Sequence, residues 1–302
     1  MGDGAITNIL VLIILIIVGV SGAVFTGLIF MLVRQGGAAL FVNPRMPDPG
    51  APPDGSGLRA VAYPTPDGVT LTAWAAEPTG GAKPVVLILA GPGQRRTELA
   101  GLASALVVAG YGVMVTCRRP LSLTMGDWGE AALLADVRAA LDYLTARGVS
   151  GSRLVILGIS AAAALALHMA WERRPASVVL AAPPTSGAGL LVGRWHLSFL
   201  VDLASNPLAV MDRLKAAAPA CPLLVLHGLA DRVVPPALGQ AVFKAAPEPK
   251  QAAWIKGAGH HDLWAKGGTE ALLDFLAGRR TPSVMLEQEA PWRAPGLPVP
   301  KP

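Results

Sequence analysis

Short, unbroken apolar runs recur along most of the chain: PVVLILA at 84–90, GVMVTC at 112–117, RLVILGI at 153–159, SVVLAA at 177–182, PLLVLHG at 222–228 and QAAWIKG at 251–257. None alternates apolar with polar residues, so each reads as a strand buried on both faces. Most are separated by stretches with apolar residues at three- and four-residue spacing: TELAGLASALVVAG, GEAALLADVRAALDYLTARG, PALGQAVFKAAP and GTEALLDFLAG. Strand–helix–strand repetition predicts an α/β domain, a mostly parallel sheet with helices on both faces joined by right-handed crossovers. Ahead of it, LRAVAYPTPDGVTLTAWAAEP reads as two strands folded about the turn Pro66-Asp67-Gly68.

The rest of the chain does not follow this pattern. Residues 9–33, ILVLIILIIVGVSGAVFTGLIFMLV, carry no charge and are long enough to cross a bilayer as one helix. A cleaved signal peptide would need a positive n-region, and only Asp3 precedes the run, so an uncleaved transmembrane helix is expected after a short tail at 1–8. Arg34 and Arg45 follow the span and no Lys or Arg precedes it, which places the C-terminal side in the cytoplasm by the positive-inside rule. Residues 34–57 are crowded with Pro and Gly and read as a linker. Residues 279–302 are Pro-rich, lack apolar periodicity and read as a disordered tail with a short partner-binding segment of undefined partner. The folded unit is therefore expected at 58–278.

Composition narrows the function classes. The chain is 52% hydrophobic and 15% charged, with a net charge of +5. Its Lys and Arg are scattered, with no run of like charge and no basic-aromatic interleaving, which excludes nucleic acid as the expected partner; the charge reads as ordinary solubility with some attraction to anionic lipid. The chain has two cysteines, Cys117 and Cys221, each at the end of a predicted buried strand without CxxC spacing, and both read as packing residues.

In parallel sheets of this kind, function gathers at the carboxyl ends of the strands. Ser160 stands at such an end, in LVILGISAAAALALHMA, between a strand and a helix. It is either a nucleophile on a sharp turn or a small polar residue opening an alanine-rich core helix. A nucleophile turn needs small residues two before and two after the Ser, and Gly158 and Ala162 meet that need. The hydroxyl then sits at a helix N-terminus, where the Ala161 N–H points at a developing oxyanion. A hydroxyl also needs a base, and the base needs an orienting group. Asp231 follows the strand PLLVLHG and His260 follows QAAWIKG, in the order acid then His, each just beyond a later strand.

With GYGVMVTCRR, LVILGISAAAALA, LLVLHGLADRVVP and GAGHHDL in place, the folded unit resembles an α/β-hydrolase. It is most similar to a lid-poor, membrane-anchored branch that includes membrane-bound serine hydrolases and acyl-protein thioesterases. The resemblance covers about 63–278. It implies that Ser160 is the nucleophile, Asp231 the acid and His260 the general base. It also implies an oxyanion loop after the strand at 84–90. There the family usually has His-Gly, whereas this chain has LAGPGQRR, with Ala90 in the His position. The next residue, Pro92, has no N–H, so the donor falls to Gly93 or Gln94. Losing one such donor typically costs about 10²–10³ in rate. In TCRRP, Arg119 matches the family's usual Asp-x-Arg-Gly turn, but Pro120 replaces its Gly.

Several other residues compete for these roles. His261 is the alternative base, and Asp262 or Asp202 the alternative acid. The HHD triplet is a poor metal site, because adjacent residues rarely converge on one ion. His227 reads as a hydrogen-bonded core residue, and His168 as a packed or partly exposed residue of the elbow helix. Trp128, Trp195, Phe199 and Trp264 either line an acyl pocket or serve as core or membrane-facing surface. Residues 183–214 occupy the place where this fold inserts a lid, with an amphipathic helix expected around 190–203. The expected activity is a membrane-anchored serine hydrolase cleaving carboxylic esters or thioesters. Its substrate would be a small or acylated molecule near membrane lipid, with no metal or organic cofactor. The alternatives are a catalytically impaired scaffold on the same fold and a serine peptidase using the same residues.

Overall fold

The computed structural model describes residues 11–13, 15, 16, 18–27, 50–79, 81–91, 94–116, 130–186, 209–216 and 219–279. The described residues form an eight-stranded sheet in the order β1-β2-β4-β3-β5-β6-β7-β8. The hairpin β1 (Arg59–Pro64) and β2 (Thr70–Ala76) lies at one edge. Both of its pairings, β1 with β2 and β2 with β4, are antiparallel. The turn between these strands closes by hydrogen bonds from Gly68 N to Thr65 O and from Thr65 N to Val69 O. Every later pairing is parallel, through β3 (Val85–Leu89), β4 (Gly112–Thr116), β5 (Leu154–Ile159), β6 (Ser177–Ala181), β7 (Leu223–Gly228) and β8 (Lys250–Ile255). The apolar runs of the sequence thus become the strands, trimmed by a residue or so at their ends.

Burial explains why those runs lack polar alternation. β3, β5, β6 and β7 are buried along their whole length because helices cover both faces. One face packs against α2 (Glu130–Thr145), α3 (Ala163–Arg173), α4 (Val210–Ala216) and α5 (Pro236–Ala245), with Leu134, Leu141, Leu165, Val210 and Val242 in its core. The other packs against α1 (Arg96–Val108) and α6 (Thr269–Leu276), with Leu99, Leu106, Leu272 and Phe275 buried among alternate strand residues. Small side chains let α3 approach the sheet: Ala163, Ala164, Ala166 and Ala170 are all buried. Cys221 is a buried free thiol whose pKa is pushed up to about 11 by burial, in keeping with a packing role. Cys117 lies outside the described residues.

Residues 50–57, inside the stretch expected as linker, are bonded to the domain. Trp74 Nε1–H donates to Gly50 O at 2.8 Å and the Ser104 hydroxyl to Ser56 O at 3.4 Å. The described residues between 11 and 27 are helical, with exposed side chains. No helix among the described residues is long and apolar enough to cross a membrane, and the span expected at 9–33 runs past the described residues at both ends. The amphipathic helix expected around 190–203 and the tail from 280 onward lie outside the described residues, while the end of the lid segment contributes to α4.

Candidate active site

Since β5 to β8 run parallel, the segments that leave their carboxyl ends emerge on one edge of the sheet. Ser160 leaves β5 there with φ 55°, a left-handed conformation that a non-glycine residue adopts only where its surroundings compel it. A 3₁₀ turn, Ser160–Ala162, follows and runs into α3. The space around this turn is fully used. A Cβ on Gly158 would lie 2.6 Å from Ala162 O, 2.7 Å from Ala166 Cβ and 2.8 Å from Ala163 Cα. Glycine is thus the residue that fits two positions before the Ser, as the sequence pattern requires. From the other side comes Gly91, just past β3, where a Cβ would lie 2.9 Å from Ile159 O and 3.1 Å from Ser160 Cβ. Ser160 is buried to 4% exposure and Ala161 is fully buried.

The loop after β3 is the expected oxyanion loop. Gln94 N–H donates to Gly91 O at 3.2 Å and Gly91 N–H to the Gln94 side-chain oxygen at 3.3 Å, closing a turn against Ser160. Of the two donors expected there, the Gln94 N–H is therefore engaged in the turn, and Gly93, with Pro92, lies outside the described residues.

Asp231 and His260 sit on loops that are laced together. Leu229 N–H donates to Ile255 O at 2.9 Å and Ala230 N–H to Ala258 O at 2.8 Å, so the chain beyond β7 is held against the chain beyond β8. The Asp231 side chain is fully buried. Its Oδ1 accepts the backbone N–H groups of Val233 and Val234, both at 2.8 Å, and its Oδ2 accepts His260 Nδ1–H at 2.7 Å. Burial pushes the Asp231 pKa up, but the hydrogen bond and charge of His260 and the Val234 and Val233 N–H groups outweigh it and hold the carboxyl below its usual range. A neutral His260 donating Nδ1–H to this carboxylate carries its lone pair on Nε2, which is the tautomer a general base needs. No hydrogen bond joins Ser160 to His260 among the described residues. Such bonds are commonly long in the absence of substrate.

The structure places the competing residues as follows. His261 is exposed and lies edge-on to His260, with ring centroids 5.3 Å apart. Asp262 makes no hydrogen bond to His260 among the described residues. Its Oδ1 accepts Gly259 N–H at 2.6 Å and its Oδ2 pairs with Lys266 at 2.7 Å, so it braces the loop that carries His260. The Lys266 bond, with that of Gly259, lowers its pKa. Trp264 is buried in the core beside α6. His168 is tied to Glu172 at 3.0 Å, and Arg138 grips the same Glu172, forming a clasp between α2 and α3. Asp202, Trp128, Trp195, Phe199, Arg119 and Pro120 lie outside the described residues. No group of three or more His, Cys, Asp or Glu suited to a metal ion occurs among the described residues.

His227 is the hydrogen-bonded core residue expected from the sequence, and its place beside Asp231 is what the sequence did not show. It is wholly buried, its Nε2–H donates to Val234 O at 2.9 Å, and it lies 3.6 Å from Asp231 Oδ2. The available signal was a His-Gly at the end of the strand preceding the acid, a polar residue where the rest of the strand is aliphatic.

No protein-family model matches the chain. An uncharacterized protein of Mycobacterium tuberculosis (strain ATCC 25618 / H37Rv), Rv2307c, is 32% identical over 276 residues, covering 90% of this chain and 96% of its own. Human alpha/beta hydrolase domain-containing protein 17B is 29% identical over 150 residues, 49% of this chain and 50% of that protein. Among solved structures, the Pyrococcus furiosus esterase Pf2001 superposes with a TM-score of 0.60 at 19% identity, covering 79% of this chain and 97% of the esterase. The Bacillus anthracis bromoperoxidase gives 0.52 at 22%, covering 72% and 99%. The chain is related to Rv2307c over nearly its whole length, and its fold is the α/β-hydrolase fold of these solved structures.

Proposed function

We propose that this protein is a membrane-anchored serine hydrolase that cleaves carboxylic esters or thioesters through an acyl-enzyme on Ser160. The observation that carries the reading is the His260 Nδ1–Asp231 Oδ2 bond of 2.7 Å on the same strand edge as the left-handed turn at Ser160. In this reading His260 takes the Ser160 proton as the hydroxyl attacks the carbonyl, then returns it to the leaving group. Asp231 fixes the tautomer and stabilises the imidazolium. Ala161 N–H and an N–H at Gly93 receive the oxyanion. The uncharged run at 9–33 supports the anchor, Arg34 and Arg45 support a cytoplasmic domain, and a site beside a bilayer suits a lipid-like or acylated substrate.

A fluorophosphonate probe tests this directly. The wild-type chain takes up label at Ser160, and Ser160→Ala abolishes labelling while leaving thermal unfolding intact; a folded Ala variant that labels like wild type removes Ser160 from the mechanism. The second reading is an impaired binding protein on the same fold. It draws on Pro92, which has no N–H, and on the Gln94 N–H being bonded to Gly91 O. A well-folded wild type that does not label favours it.

A further inference from the structure

His227 has no part in the steps above, yet its ring is fixed on every side. Nε2–H donates to Val234 O at 2.9 Å. Nδ1 is buried without a hydrogen-bond partner among the described residues and faces the backbone of α5, where a Cβ on Gly239 would come within 2.2 Å of it. Trp254 of β8 packs beside the ring at 6.4 Å between centroids. A proton on Nδ1 would have no acceptor there, so the ring is neutral with its hydrogen on Nε2. Burial, with a contribution from His260, lowers the His227 pKa despite the Val234 carbonyl and Asp231, which supports the same protonation state.

Val234 is the shared partner in this arrangement. Its N–H donates to Asp231 Oδ1 and its carbonyl accepts from His227. The loop from Asp231 to Val234 is therefore gripped from both ends, by the carboxylate it surrounds and by an imidazole one strand-end behind. We propose that His227 is a positioning residue: its Nε2–H bond to Val234 O locks the acid loop so that Asp231 Oδ2 stays in line with His260 Nδ1. The inference rests on the acid–base reading given above. A neutral ring suits this task, because an imidazolium 3.6 Å from Oδ2 would compete with His260 for the carboxylate.

The test uses the full-length chain with ¹⁵N-labelled histidine and reads the downfield His260 Nδ1–H resonance, which reports the bond to Asp231 whether or not Ser160 is a nucleophile. Wild type shows it. His227→Leu fills the site without a donor, and the resonance is lost or moves upfield. On a short-chain ester, kcat falls about ten- to a hundredfold while KM stays within about twofold. His227→Gln, whose amide N–H reaches the place of Nε2, restores both. Gly239→Ala leaves His227 in the chain but displaces its ring, and it carries the same loss if the Leu variant does not fold. An unchanged resonance in a folded His227→Leu chain, or a Gln variant as impaired as Leu, overturns the proposal. Absence of the resonance from wild type overturns it as well. A wild type that shows the resonance but takes no fluorophosphonate defeats the hydrolase reading alone, and the resonance comparison still decides the role of His227.

Discussion

The turn at Ser160 is held by shape, whereas the loops bearing Asp231 and His260 are held by hydrogen bonds. At the turn, Gly158 lies against Ala162, Ala163 and Ala166, and Gly91 against Ile159 and Ser160, at distances that leave no room for a methyl group, and Ser160 between them is left-handed. At the loops, the Asp231 carboxylate receives N–H donors from Val233, Val234 and His260, and cross-links between the two segments run through Ala230 and Ala258. A structure held by volume resists chemical change and fails when enlarged. One held by donors tolerates some change of volume and fails when a donor or acceptor is lost. Substitutions in the two regions should therefore fail in different observables.

The largest effect belongs to the loops and appears chiefly in rate. His260→Ala lowers kcat by on the order of 10⁴ or more, as removal of a triad base does elsewhere. His261→Ala, which deletes an exposed ring off the Asp231 axis, changes it by less than about tenfold. His261→Ala unfolds near the wild-type temperature, whereas His260→Ala, which leaves the buried Asp231 carboxylate short of a donor, unfolds lower. If His261→Ala is the dead variant and His260→Ala stays active, the base is the other histidine and the loop serves a different geometry.

A middle-sized effect belongs to the turn and appears in stability. Gly158→Ala forces a Cβ against Ala162 O, Ala163 Cα and Ala166 Cβ, an overpacking expected to cost about 1–3 kcal/mol. The midpoint of urea unfolding falls accordingly. A variant as stable as wild type would show that α3 can move away from β5, and that shape does not govern this turn.

The same contrast explains what could be read in advance. The strands of the parallel sheet were legible because burial on both faces leaves an unbroken apolar run, and Ser160 was legible because the tight turn demands small neighbours at fixed offsets in the sequence. Asp231 and His260 could be picked out by their order and by the strand each follows. The grip of His227 on Val234 was not legible, since it depends on where α5 lies against β7, and Gly239 carries no mark in sequence of the ring it accommodates. Nor was the role of Asp262. Beside His260 it reads as a rival acid, but its partners Gly259 and Lys266 are set by the curl of one loop. Contacts within a motif follow from spacing, whereas contacts between motifs follow from packing.

The smallest expected effect sharpens the comparison inside the donor-built region. Among the described residues, the ionisable groups that influence His227 are Asp231 and His260. Its pKa in the folded chain is lowered from the ordinary 6.5, chiefly by burial. A lowered pKa means the unfolded chain binds the proton more readily. The associated stability is therefore complete above the ordinary histidine value and is lost as pH falls below it toward the folded value. Asp231 has the same sign in a lower window: its pKa is lowered from 3.8, and its contribution goes only as pH drops below that value. Between pH 7.5 and 5.5 the histidine should therefore dominate this part of the pH dependence. His227→Gln removes the titrating group and keeps the donor, so its unfolding temperature should fall less over that interval than that of wild type. Equal slopes for the two proteins would mean that the folded chain accepts a proton at His227 without loss, and that Nδ1 has more freedom against α5 than its contact with Gly239 implies.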